Sequence, residues 1–245
     1  MTTDAVESSR PRGERPLVAP LRHTLIFILI QVALAAGGAY MQHRPSTGPS
    51  VAAEHPAMAS VYIFMIFLEW ALVYYVWVGV RIQKRVGIFD LVGGRWKSWK
   101  DVVLDLVIAV PFWFVWEAAA RWMQNALGPS QAKPIDALLP RGAMEITLWC
   151  LLSVSAGFCE ELVFRGYFQK QFQALTGSIV LAVLAQAIVF GIGHAYQGTK
   201  QVVVITGLGV LYGILAAWRK NLRPGMIAHA WSDVYCGWMF KLLTR

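Results

Sequence analysis

The stretch Glu160-Glu161-Leu162-Val163-Phe164-Arg165 places two adjacent carboxylates and an arginine within apolar sequence. Phe190-Gly191-Ile192-Gly193-His194 and His229-Ala230-Trp231-Ser232-Asp233 follow, again in apolar surroundings. Ionisable groups at membrane depth are costly, face a protein interior or a wet cavity, and generally have a function. A carboxylate to take a proton and imidazoles to share it are the parts needed to activate a water molecule. These three segments therefore read as a water-activating site inside a bilayer protein.

On a helix, Glu160 and Glu161 point about 100° apart, so they serve different tasks. Glu161 and Arg165 are spaced i,i+4 and can pair on one face. That pairing neutralises a costly cation and leaves Glu160 to face the cavity, although spacing alone leaves the exchange of the two roles open. Glu160 lies 16 residues before Thr176 and His194 lies 18 after it. An unbroken antiparallel hairpin brings the two to similar height, within roughly 3 Å along the axis. Phe190, one turn before His194, is placed to pack over it. His229 and Asp233 are also i,i+4, so Asp233 is expected to orient the imidazole. His229 nevertheless follows the basic turn Arg219–Arg223 closely, whereas Glu160 and His194 look deeper. A helical extension past the membrane, or a break near Arg165-Gly166, would reconcile the levels. The site is expected nearer the cytoplasmic side. Any one piece has a plain structural explanation: a histidine satisfied by a carbonyl, or a Glu-Arg clamp. The whole set is harder to explain as packing.

The elements that must hold these residues are membrane spans. Of 245 residues, 57% are hydrophobic and 15% charged, against roughly 25% charged in a soluble domain. The expected fold is all-α: a polytopic transmembrane helical bundle of about seven spans, with the cavity formed by the C-terminal four. A disordered basic cytoplasmic tail (1–21) precedes a single transmembrane domain (22–245), and the motifs occupy 141–243. Apolar runs near or above the ~18-residue spanning length place spans at about 24–41, 58–80, 102–127, from 141 onward, 177–194, 202–218 and 226–243. The Ala33-Leu34-Ala35 triplet mimics a signal-peptide cleavage site, but the long charged lead favours an uncleaved anchor. Loops are expected around Pro45, Gly48, Pro49 and Pro56, and around Pro129, Pro134 and Pro140. Pro111 is expected to kink the third span, and Arg223-Pro224-Gly225 to form the last turn.

The net charge of +8 is not a nucleic-acid footprint. Arg10, Arg12, Arg15 and Arg22, then Arg81, Lys84, Arg85, Arg95, Lys97 and Lys100, then Arg165 and Lys170, then Arg219, Lys220 and Arg223, fall on alternate connections. This positive-inside pattern puts the N-terminus in the cytoplasm, in an integral protein of the plasma (inner) membrane. Glu69 and Glu117 lie inside the second and third spans. Either could line the cavity, and a structural hydrogen bond or interfacial position is the simpler reading. Cys150, Cys159 and Cys236 all sit in apolar segments and read as buried thiols, with no disulfide framework or CxxC pair. No histidine is near Cys159 in sequence to make it a nucleophile.

The order Glu-Glu-x-x-x-Arg, Phe-x-x-x-His, His-x-x-x-Asp resembles the CPBP family of intramembrane metalloproteases, also called the CAAX prenyl protease 2-like or Abi family. The resemblance covers about Leu148 to Tyr235. It implies an intramembrane endopeptidase in which Glu160, helped by His194, deprotonates a water that attacks a peptide carbonyl. His229 and the residue at 233 would stabilise the oxyanion, with Glu161, Arg165 and Phe190 in support. Asp233 stands where eukaryotic members have asparagine. An ionised aspartate would repel an oxyanion, so Asp233 must be protonated there or serve only to hold His229. Zinc is conceivable, with Glu160, His194 and His229 as three protein ligands and water as the fourth. No HExxH helix is present, and metal-free glutamate-dependent hydrolysis is preferred. The expected partners are a peptide or membrane-protein substrate and the lipid bilayer, with no nucleic acid. The alternatives are a non-catalytic binding or regulatory protein, such as a bacteriocin self-immunity factor, and a proton-relay transporter, against which the missing internal repeat counts.

Overall fold

Among the described residues, seven long helical rods follow one another, because each apolar run must satisfy its backbone polar groups internally. The computed structural model describes residues 16–43, 58–129 and 138–243. The expected tail lies outside these up to residue 15, as do Pro45, Gly48, Pro49, Pro56 and Pro134. The rods are α1 (Leu21–His43), α2 (Ala59–Gln83), α4 (Trp99–Ala126), α5 (Ala143–Glu160) continued by a π-helical segment (Glu161–Phe168) and α6 (Gln169–Thr176), α7 (Ile179–Gly193), α8 (Thr199–Arg219) and α9 (Arg223–Leu243). A short α3 (Ile88–Val92) precedes α4. Among the described residues, five rods are long and apolar enough to cross a bilayer, and α7 is a shorter apolar helix. The chain is an integral membrane helical bundle.

Local chemistry sets the boundaries. Asp101 Oδ2 accepts the backbone N–H groups of Lys97 and Ser98 at 2.8 and 3.0 Å, capping the start of α4. Gly177, at φ 70°, ends α6 in a left-handed turn, where the antiparallel hairpin counted from Thr176 needs one. Ser178 Oγ then accepts Leu181 N–H to start α7. The last turn differs from expectation: Lys220, at φ 53°, makes it with Asn221 and Leu222, and Arg223-Pro224-Gly225 begin α9. Proline is tolerated there because the first-turn N–H groups lack helical acceptors. Pro111 lies inside α4, which continues through it.

The largest buried cluster gathers Phe27, Val76, Val80, Leu91, Leu162, Tyr167 and Phe168. It lies at the end of the bundle where α2 finishes and α1 begins, next to the basic connections. Gln171 ties α1 to α6 there, accepting the N–H groups of Val18 and Ala19 and donating to Thr24 Oγ1. Asp105, 1% exposed, gathers Trp96 Nε1 at 2.8 Å, Arg223 Nε at 2.8 Å and Asn221 Nδ2 at 3.2 Å. This node fixes the α8–α9 turn to α4.

Helices α5 and α9 cross closely at Gly157, where an added Cβ would lie 2.7 Å from both Ala230 N and Met226 O. Both obstacles are backbone, so relief requires helix displacement. Gly157→Ala is expected to cost about 1–3 kcal/mol by overpacking, seen as a lower unfolding midpoint in detergent. Gly37→Ala, where no atom lies within 4 Å of the added carbon, should be neutral or stabilising.

Candidate active site

The π-helical segment begins immediately after Glu160, and all eight of its residues are buried. Such i→i+5 turns recur at functional sites, where they shift the facing of side chains. Here the segment carries Glu161 and Arg165. Arg165 Nη1 donates to Glu161 Oε1 at 2.9 Å, with both side chains essentially inaccessible. The guanidinium also stacks over Phe190, 4.3 Å from its centroid, and over Tyr212 at 5.0 Å. The expected pair is therefore present, sealed beneath aromatic rings.

The opposite face of the pair receives α9. His229 Nδ1 lies 3.0 Å from Glu161 Oε1. A carboxylate paired with arginine offers only acceptors, so the hydrogen bond assigns the proton to Nδ1. This corrects the expectation that Asp233 fixes the ring: its Oδ2 is 3.8 Å from Nε2, beyond hydrogen-bond reach. The i,i+4 spacing was real, but a buried carboxylate on a neighbouring helix lies closer. Gly225 leaves room for it, since a Cβ there would sit 3.3 Å from Glu161 Oε2.

Glu160 turns the other way. Its side chain is 23% exposed, and Oε2 is 3.6 Å from His229 Nε2. Glu160, His194, His229, Asp233 and Phe190 all line one cavity of about 350 Å³. Helices α5, α7 and α9 supply this acid-histidine set, while Val204, Leu208 and Tyr212 of α8, Met65 and Glu69 of α2, and Trp116 and Gln124 of α4 complete the wall. Phe190 packs edge-on to His194, with centroids 4.8 Å apart. His194 Nδ1 is 2.9 Å from Phe190 O, which holds the ring at the end of α7.

The level problem is resolved by extension rather than a break. The rod from Ala143 to Thr176 is continuous. Gly166 packs against Leu222 and Leu91, so the chain beyond Gly166 continues past the basic turn. Arg165 stacked on Phe190 puts those two residues at one height. Glu160 and His194, each about one turn from that contact, line the same cavity. His229 stands six residues along α9 from Arg223, roughly 9 Å of rise, so the site lies near the basic end.

Sequence reasoning undervalued Glu69. It both lines the cavity and accepts a hydrogen bond from Ser155 Oγ at 2.6 Å. The signal was a carboxylate in mid-span, but only packing decides which way it faces. Glu117 instead pairs with the exposed Arg121 at 3.0 Å. The expectation of three buried thiols holds for Cys159 alone: Cys150 is half-buried, and Cys236 is exposed on the cavity wall. Tyr196, in the α7–α8 connection, also lines the wall. Burial pushes its hydroxyl up to about 12, so it stays neutral, and it accepts from Gln197 Nε2 at 2.9 Å.

Residues 142–235 match the family model described as type II CAAX prenyl endopeptidase Rce1-like. This segment is similar to the Rce1-like family. It contains every residue of the three motifs, so the resemblance drawn from them holds, and at family level the segment is that of a CAAX-protease-like intramembrane endopeptidase. No curated protein and no solved structure matches the chain. Among the described residues, no three His, Cys, Asp or Glu side chains are arranged to hold a metal ion.

The two glutamates should separate in their effect on stability. Glu161→Gln leaves Arg165 as an uncompensated buried cation, at an expected cost of about 3–5 kcal/mol. Glu160→Gln removes no close hydrogen bond and should cost under about 0.5 kcal/mol. Thermal unfolding of both variants in detergent checks this, and equal losses would refute the division of roles.

Proposed function

We propose that the protein hydrolyses peptide bonds within the membrane, using Glu160 and His194 to activate water. The observation that carries this reading is the approach of Glu160 Oε2 to His229 Nε2, 3.6 Å apart at the wall of a shared cavity. In this mechanism a water held by Glu160 and His194 gives its proton to the Glu160 carboxylate. Its oxygen attacks the scissile carbonyl carbon, and the carbonyl oxygen becomes an oxyanion. His229 meets it through Nε2, which lies between Glu160 and Asp233; a proton carried there donates to the developing charge. Glu160 then returns its proton to the leaving amine as the C–N bond breaks, giving a carboxylate and an amine.

The surroundings support these roles. Glu161 holds His229 through Nδ1 and leaves Nε2 toward the cavity. Asp233, with its carboxylate 3.8 Å from Nε2, is placed beside the ring without orienting it. Its role in this scheme is to influence the charge on His229, not to donate directly to the oxyanion. Phe190 keeps His194 in place and covers Arg165. No step requires a metal. The substrate is a peptide or a membrane protein, and the protein resides in the plasma (inner) membrane with its N-terminus in the cytoplasm, as the alternating basic connections indicate.

Purified protein in detergent provides the test. Glu160→Ala and His194→Ala should each lower cleavage of a susceptible peptide by at least about 10²-fold, with folding retained. Chelation should leave the wild-type rate unchanged. Cleavage or phenotype equal in wild type and both alanine variants would instead support a non-catalytic binding protein.

A further inference from the structure

One carboxylate in the cavity wall has no part in the activation of water. Glu69 stands in mid-span on α2 and lines the same cavity as Glu160, His194 and His229. It belongs to none of the three motifs and lies outside residues 142–235. A carboxylate at membrane depth is costly to keep, and a hydrogen bond to a serine does not need a charged acceptor.

Its mounting is firm. Ser155 Oγ donates to Glu69 Oε2 at 2.6 Å, and Ser155 is itself buried. That bond uses one of about four acceptor sites on a carboxylate. Ser155 precedes Glu160 on α5 by five residues, roughly 7.5 Å of rise. An extended peptide covers that length in about two residues. A substrate whose scissile carbonyl sits at Glu160 therefore brings a nearby side chain to Glu69.

The charge of the wall selects that side chain. Glu69, Glu160 and Asp233 all line the cavity, and among the described residues no lysine or arginine does. The whole chain carries +8, so this acidic character is local. A cleft lined by one sign of charge concentrates ligands of the other sign. Met65, one turn before Glu69, and Leu152 and Ala156, on either side of Ser155 in sequence, keep this part of the wall apolar. A long aliphatic stem ending in a cation suits both features: the stem lies on the apolar wall and the head meets the carboxylate.

We infer that Glu69 is a specificity-determining residue, and that the substrate is a peptide carrying a lysine or arginine about two or three residues from the bond that is cut. The position relative to the cut rests on the hydrolase reading; recognition of the cation is measurable without it.

Purified full-length protein in an uncharged detergent is given apolar peptides of one sequence in which a lysine is moved along the chain. Each is matched by a norleucine peptide, which keeps the stem and lacks the charge. At one or two adjacent positions, wild type should cleave the lysine peptide with a kcat/KM at least about tenfold above its match. Glu69→Gln should collapse that ratio to about one at the same positions. Equal rates for lysine and norleucine at every position in wild type, or a preference that survives Glu69→Gln, overturns the proposal. Should Glu69→Gln fail to fold, Glu69→Asp keeps the charge and should keep the preference, and its loss there counts against Glu69. A second arm measures binding of the same peptides to Glu160→Gln, which lacks the carboxylate that takes the proton from water. Tighter binding of the lysine peptide, abolished when Glu69→Gln is added, is expected, and equal binding refutes recognition of the cation. If wild type cleaves no peptide while this binding difference holds, the hydrolase reading fails and the assignment of Glu69 stands.

Discussion

The Glu161 carboxylate is the point on which the interior depends. Its Oε1 meets a guanidinium from its own helix at 2.9 Å and an imidazole from α9 at 3.0 Å. A lone arginine at that depth would be prohibitive, and a lone carboxylate nearly so. Together they form a neutralised unit with one free valence of geometry, which is used to hold His229. Fixing Nδ1 fixes Nε2, and with it the direction in which the ring can act. The adjacent carboxylate, turned by about 100° on the same helix, then faces the cavity beside that nitrogen. Adjacent glutamates thus divide into one structural and one solvent-facing group.

This unit requires close helix approach, and glycines supply it. Gly157 and Gly225 bring α5 and α9 together on either side of the Glu161–His229 contact. Gly209 and Gly213 on α8 similarly lie against Ala187, Gln186 and Gln169, and their carbonyls accept from Gln186 and Gln169 side chains. Between membrane helices there is little hydrophobic drive, so small residues and side-chain hydrogen bonds carry the association. The buried aromatic and aliphatic cluster adds mass at one end of the bundle, and the other end keeps a cavity above the short α7. Rigid floor and spacious upper half are therefore consequences of where the long side chains and the short helix fall.

The likeness to Rce1-like endopeptidases spans 142–235, yet the cavity wall also uses α2 and α4, which precede that segment. Glu69 of α2 contacts Ser155 of α5 at 2.6 Å. The chemistry-bearing motifs are thus confined to the matched helices, while the shape and polarity of the space around them depend on the N-terminal half. Variation in that half can alter what the cavity admits without altering the acid-histidine set.

Much was legible in the chain because the bilayer imposes a simple rule: apolar runs of sufficient length become helices. The seven rods among the described residues, the Glu161–Arg165 pair and the packing of Phe190 on His194 followed from counting residues along helices of fixed pitch. Tertiary structure alone decided the rest. The partner of His229 is Glu161 rather than Asp233, because a contact between helices depends on their rotation and separation, which no spacing within one helix specifies. The π-helical turn, the facing of Glu69 into the cavity, the exposure of Cys236 and the Asp105 node have the same origin. Sequence periodicity gives position along a helix axis; the approach of neighbouring backbones determines which side chains meet.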